Sequence, residues 1–218
     1  MRLFDPSLDR ADRIQLVASY AMQVMILGAL FYALFEKEWL TAFLALGAFA
    51  VTLVPAYLRR SLRVYLPLEF DFVLIWFIFA SLILGEVRSY YERFWWWDLA
   101  LHTSAGMVNG MVGFALVFIL NRHEQVAVAL SPIFVAIFSF CFAQAIGVIW
   151  EVFEFTMDGL FGMNMQKSGL VDTMSDLIVN TIGAAVVSIG GYSYARGNEL
   201  LMFDRILRRF LERNRLGL

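Results

Sequence analysis

The sequence predicts an all-α, polytopic membrane protein: a bundle of about six transmembrane helices, with both termini in the cytoplasm. Three observations carry that reading. Of 218 residues, 61% are hydrophobic and 17% charged, against the roughly 25% charged of a soluble domain. The apolar residues gather into runs of about 20, the length a helix needs to cross a bilayer core. The charges are sorted between the intervening segments, and the sorting has a direction.

The runs predict spans at about 14–35, 39–58, 67–85, 98–120, 131–158 and 171–195, forming a single integral membrane domain over 1–218. Strands are excluded, because a spanning strand shows period-two alternation and needs a closed barrel. The first run is too long for a cleavable leader and follows the mixed-charge stretch Asp5 to Arg13, so no signal peptide is expected. Pro67 followed by Glu69 suits a helix start, and Asp71 reads as an interfacial or capping acid of that first turn. Three successive tryptophans, Trp95 to Trp97, stand before the fourth run as an interfacial aromatic belt.

With the N-terminus inside, thirteen of the seventeen Lys and Arg fall in inner segments, from Arg2 to Arg215, and four fall outside: Lys37, Arg88, Arg93 and Lys167. Cytoplasmic loops carry such an excess, so a cytoplasmic membrane with both termini inside is expected. The tail, 199–216, sets Leu200, Phe203, Leu207 and Phe210 opposite its arginines, the pattern of an amphipathic helix on an anionic inner surface. A solvated helix would show the same pattern. The partners expected are membrane lipids, with no nucleic acid. Cys141 is the single cysteine and lies inside a span, so there is neither a disulfide framework nor a cysteine metal motif. His123, in an inner loop, reads as solvated.

The last three runs carry ionisable residues that the first three almost wholly lack. At about 100° per residue, Asp98, His102, Gly106, Asn109 and Gly113 share one arc of about 80°. Gln144, Gly147, Glu151, Glu154 and Asp158 share a second, and Asp172, Asp176, Asn180, Gly183 and Gly190 a third. Each stripe is acidic at one end and glycine-bearing further along, and glycines let helices approach closely, so the stripes are expected to face one another. Topology brings all the acids to one depth, in the outer half of the bilayer. So many carboxylates around one imidazole need protons or a cation to neutralise them.

That donor set suits Mn²⁺, Fe²⁺, Zn²⁺ or Mg²⁺, and the expected ligands are Asp98, His102, Glu151, Glu154, Asp158, Asp172 and Asp176. Asp98, Asp158 and Asp172, near helix ends, also read as caps or boundary residues. A metal-bound water beside spare carboxylates is equipped for hydrolysis or group transfer on a lipid or lipid-linked substrate. Arg88, Arg93, Lys167 and Asn180 are the expected substrate contacts, although the three basic residues also read as interfacial anchors. Two other classes stay open. One is a proton or divalent-cation transporter with the acids as transit site, which the absence of inverted repeats and of an ionisable path beyond Asn109 and Gln144 disfavours. The other is a non-catalytic membrane partner subunit.

At these residues the chain resembles the VanZ-like superfamily and, more closely, the YjdF-like family of bacterial inner-membrane proteins. The resemblance rests on Asp98-Leu-Ala-Leu-His102 with Gly106, on Trp150-Glu151-Val-Phe-Glu154, and on Asp172 to Gly183 with Asp176 and Asn180 between. It covers about residues 98–190. Leu99, where the VanZ pattern wants a basic residue, and Glu154, where it wants Gln, favour the YjdF-like side. It implies a small bacterial membrane protein, supports the acidic site and leaves the reaction open.

Overall fold

A computed structural model describes residues 8–62, 67–122 and 130–200, together with Phe203, Arg205, Arg209 and Phe210. His123, most of the 121–130 connection and most of the expected tail helix at 199–216 lie outside the described residues. All regular structure among the described residues is helical: α1 (Arg10–Phe35), α2 (Trp39–Thr52), α3 (Val54–Tyr57), α4 (Leu68–Phe79), α5 (Tyr90–Arg93), α6 (Trp97–Arg122), α7 (Pro132–Phe161) and α8 (Leu170–Ala195). Wider, π-type turns extend α3 through Leu58–Leu62 and α4 through Ala80–Val87.

Six segments are long and apolar enough to cross a membrane: Arg10–Phe35, Thr41–Ser61, Leu68–Val87, Trp97–Phe118, Pro132–Phe161 and Leu170–Ala195. Each expected boundary falls within four residues of these. The largest discrepancy is the start of α1, and its cause is local. Asp9 caps the helix by accepting from the Asp12 N–H at 2.7 Å, and the Asp12 carboxylate reaches back to the Asp9 N–H at 3.4 Å. This reciprocal pairing starts the helix at Arg10, ahead of the apolar run. At α7, Ser131 accepts from the Phe134 N–H and Pro132 takes the first helical position, where its missing N–H costs nothing. Gly162, at φ 65°, ends α7 in the left-handed region where a Cβ is unwelcome.

The chain forms two compact units. The first holds the described residues up to Phe94 with Arg209 and Phe210; the second runs from Trp95 through Arg205. In the first, Ile26, Leu30, Ala33, Ala42, Ala45 and Leu82 form an apolar core. Arg209 pairs there with Asp12 and Glu69, at 2.8 Å each, and with Asp9 at 3.6 Å.

In the second unit α6, α7 and α8 pack pairwise. Half of the most apolar stretch of α6 is buried, against 22% for α7 and 28% for α8, so α6 is the most enclosed. Outward faces carry Ile149, Val152, Phe155, Ile178 and Ile189, all exposed. Inward faces carry Ser139, Glu151, Asp176, Asn180 and Ser188, all buried. Apolar outside and polar inside is the arrangement that lipid rewards. A closing layer of rings lies at the far end, where Phe203 meets Phe114 at 5.0 Å and Tyr194 at 5.6 Å between centroids. Of the expected tail helix, Phe203 is therefore buried in this unit.

Candidate metal centre

The site exists because α6 and α8 touch backbone to backbone. A Cβ on Gly106 would stand 2.2 Å from the Asn180 carbonyl oxygen, and one on Gly183 would stand 2.2 Å from that of Thr103. A Cβ on Gly147 of α7 would come within 2.6 Å of the Asn180 amide nitrogen. Glycine at these three positions lets the helices close, and the side chains one turn away then meet.

At the centre of that meeting is the His102 imidazole. Its Nε2 lies 3.7 Å from Asp98 Oδ1, one turn earlier on α6, and 3.9 Å from Asp176 Oδ2 on α8. Its Nδ1 lies 3.7 Å from Glu151 Oε1 on α7. Three helices thus each present a carboxylate to one ring. Donor atoms of Asp98, His102 and Asp176 all fall within 4.8 Å of one another, a separation one metal ion can span. The Asp176 and Glu151 side chains are 3% and 5% exposed, so water reaches little of either. Among the described residues, neither Glu151 oxygen accepts a well-formed hydrogen bond; Thr173 is its polar neighbour.

The other expected residues divide by what they touch. Glu154 is buried beside Glu151, Asp98 and Asp176, and accepts from the Trp150 indole N–H at 2.9 Å. Asp172 is half-buried near Asp98, Lys167 and Asp158. Asp158 spends both oxygens on the α7–α8 loop, accepting from the Met165 N–H at 2.7 Å and the Gln166 N–H at 2.9 Å. It shapes that loop. The loop in turn delivers Lys167, whose Nζ lies 3.4 Å from Asp98 Oδ2. Arg88 and Arg93 stand exposed in the first unit.

Asn180 belongs to a layer of amides beneath the imidazole. It donates to Gln144 Oε1 at 2.7 Å, and the Gln144 amide donates to Thr181 Oγ1 at 2.5 Å. Further along, Ser188 donates to Ser139 Oγ at 3.2 Å, and Ser139 donates to the Gly110 carbonyl at 2.7 Å. Thr181, Ser139 and Ser188 were not foreseen from the sequence. The interior is therefore stacked: acids and histidine, then amides, then hydroxyls, then aromatic rings.

This fold and this interior define a helical integral membrane protein with a carboxylate–histidine triad between its helices. The chain matches, over residues 17–197, the family described as "Predicted membrane protein (DUF2238)", and it belongs to that family. It is also similar to an uncharacterized protein of Thermotoga maritima, 29% identical over 108 residues, or 49% of this chain and 53% of that one. The chain thus matches about half the length of that relative. No solved structure matches.

Proposed function

We propose that Asp98, His102 and Asp176 hold a divalent metal ion between the last three spans, and that the protein uses it for hydrolysis or group transfer on a lipid or lipid-linked substrate. One observation carries the reading: a single imidazole has two carboxylates at one nitrogen and a third at the other. Two donors of one ion, at bonds of about 2.1 Å and tetrahedral angles, stand ~3.4 Å apart. The two imidazole–carboxylate separations, 3.7 and 3.9 Å, exceed that by a few tenths of an ångström, and the three donors lie within 4.8 Å of one another, so side-chain rotation must draw them in.

Three protein donors with a fourth position open is the pattern of catalytic sites, and an imidazole with carboxylates suits Zn²⁺, Mn²⁺ or Fe²⁺ ahead of Mg²⁺. Glu151, on the opposite ring nitrogen, then takes the outer role: its carboxylate accepts the Nδ1 proton and keeps Nε2 free to bind. Glu154, held by Trp150, is the spare carboxylate that accepts and returns a proton. A bound ion would lower the pKa of water in the open position or polarise a phosphoryl oxygen. Lys167 is the counter-charge that an anionic headgroup would draw from Asp98. The resemblance to the YjdF-like and VanZ-like proteins accords with this site and adds no reaction to it.

Metal content of the purified protein tests the proposal. Wild type should hold close to one equivalent, and His102→Ala and Asp176→Asn should hold none. Equal or absent metal in all three would end it. The arginine distribution supports an opening on the outer side. A cysteine at Leu170, in a Cys141→Ser background, should then react with an impermeant thiol reagent added outside. One at Arg60 should react only after the membrane is opened, and reversed labelling would turn the site to the cytoplasm.

The stacked amides and hydroxyls beneath the triad favour a second reading, in which protons or cations pass between the acids and the opposite face. Ion flux into proteoliposomes, abolished by Asp176→Asn, would select transport over catalysis.

A further inference from the structure

We propose that the first three spans enclose a second binding site, for a small zwitterion bearing a primary ammonium and an anionic oxygen group, of the phosphoethanolamine class. It is independent of the metal reading and rests on the first unit alone.

The second span is broken. α2 ends at Thr52 and α3 begins at Val54, with Pro55 at its second position. Proline has no N–H for the preceding turn, and its ring crowds the carbonyl four residues back. The groups freed at the break are met from the side. Thr52 Oγ1 donates to the Phe49 carbonyl at 2.7 Å, and the Gln23 amide of α1 donates to Thr52 Oγ1 at 3.2 Å and to the Thr52 carbonyl at 3.4 Å. Within a bilayer, interrupted backbone persists only where protein covers it or where it lines a polar cavity.

Here it lines a cavity. Gln15, Ser19, Gln23, Thr52, Arg59 and Asp71 supply its polar wall, and its volume is about 170 Å³. An engineered apolar cavity of about 150 Å³ takes a benzene ring, so this one has room for a ligand of six to eight non-hydrogen atoms. Two acceptors of its wall have no donor among the described residues. Asp71 is 7% exposed, and while one of its oxygens pairs with Arg59, the other has no hydrogen-bond partner among the described residues. Gln15 Oε1 is likewise buried with no partner among the described residues.

A buried acceptor without a donor bears the full loss of its hydration, so an occupant that brings N–H or O–H groups to these two oxygens is favoured. An ammonium offers three donors and a charge matched to the carboxylate. A lone cation would face Arg59, and a lone anion would face Asp71. A zwitterion places each charge against its opposite, with its anionic oxygens on the guanidinium donors that Asp71 leaves free. A quaternary ammonium has no N–H and leaves both acceptors unanswered.

The test uses the full-length protein in detergent, with O-phosphoethanolamine and O-phosphocholine as soluble probes in calorimetric titration. Short-chain phosphatidylethanolamine and phosphatidylcholine serve as lipid probes in native mass spectrometry. The ethanolamine member should bind at least ten-fold more tightly than the choline member. Preference confined to the lipid pair makes the source a headgroup, and preference confined to the soluble pair makes it a free metabolite. Gln15→Leu and Asp71→Asn should each weaken binding about ten-fold or more, the scale of one buried hydrogen bond to a charged group. Gln15→Leu carries the test if Asp71→Asn does not fold. Equal binding of ethanolamine and choline probes, no binding of any probe, or an unchanged Gln15→Leu would overturn the site and leave a cavity filled by water.

Discussion

In the first unit the polar groups are held at one end, around Gln15, Gln23, Thr52, Arg59 and Asp71, while the other end is an apolar core built on Ile26, Leu30 and Ala45. In the second unit polar groups run most of the length of the interior, from His102 through Gln144 and Asn180 to Ser139 and Ser188. Both arrangements avoid lipid, but they need different contacts. Water does not drive apolar faces together inside a bilayer, so close packing and cross-helix hydrogen bonds must do so. The second unit has both, because glycine brings its backbones within reach. In the first unit Gly28 and Gly47 have open space around the position of a Cβ, and Gly85 faces the Tyr91 ring, a side chain and not a backbone. A polar interior in lipid depends on backbone proximity.

The largest effect should therefore come from Gly183→Ala. Its new methyl would stand 2.2 Å from the Thr103 carbonyl oxygen, and a backbone atom in a helix has no rotamer by which to yield. Forcing α6 from α8 should cost about 1–3 kcal/mol and draw Asp98 and His102 away from Asp176. Thermal unfolding in detergent should show the loss, and metal content should fall with it. If both stay at wild-type values, the close crossing is not what assembles the triad.

Next in size is Glu151→Gln. If Glu151 acts through the far nitrogen of His102, the amide should keep the fold and weaken metal binding by about ten- to a hundred-fold, the range for a lost outer-sphere partner. The readout is a competition titration against a chelator of known affinity. Loss as complete as that in His102→Ala would restore Glu151 to the ligand set in which the sequence first put it.

Lys167→Met should act in the opposite direction. The ammonium neutralises Asp98 from a half-exposed position, so if Asp98 binds the proposed ion, removing the ammonium frees a carboxylate oxygen and lowers the positive charge that opposes the ion. An ion pair this exposed is worth up to about 1 kcal/mol, so metal affinity should rise by about two- to fivefold in the same titration. A fall would mean that Lys167 supports the ion's ligands instead of competing with the ion.

Much of this was legible in the sequence. Spans follow from hydropathy because lipid tolerates little else, and the facing acids of α6, α7 and α8 follow from a repeat of 3.6 residues. Ser139 and Ser188 were missed for a geometric reason. Ser139, Ala143, Gly147 and Glu151 are buried at steps of four, as are Asn180, Ala184 and Ser188. Each step of four turns the face by about 40°. A stripe fitted at the acidic end has therefore lost the buried line twelve residues away. Asp71 reads in the sequence as a boundary acid because its partner, Arg59, sits twelve residues back on another segment, and no local pattern announces a pair between two successive spans. Asp158 reads in the sequence both as a ligand and as a cap; its two bonds to the Met165 and Gln166 N–H groups order the α7–α8 loop, whose path helix phase does not contain.

The smallest effect expected is also the sharpest control on the comparison. Gly47→Ala in α2 and Gly28→Ala in α1 add a methyl where nothing lies within 4 Å. A glycine inside a helix is less stable than alanine by roughly 0.5–1 kcal/mol, because it surrenders more backbone freedom on folding. If these two positions play no part in packing, each change should raise the unfolding midpoint slightly, and the two together should add, since α1 and α2 carry them as separate sites. The same substitution would then stabilise one half of the chain and destabilise the other, with no difference in chemistry except what stands opposite the new carbon. A loss of stability at Gly47 or Gly28 would show that a partner occupies that face in the membrane, and the contrast between the two units would have to be redrawn around that partner.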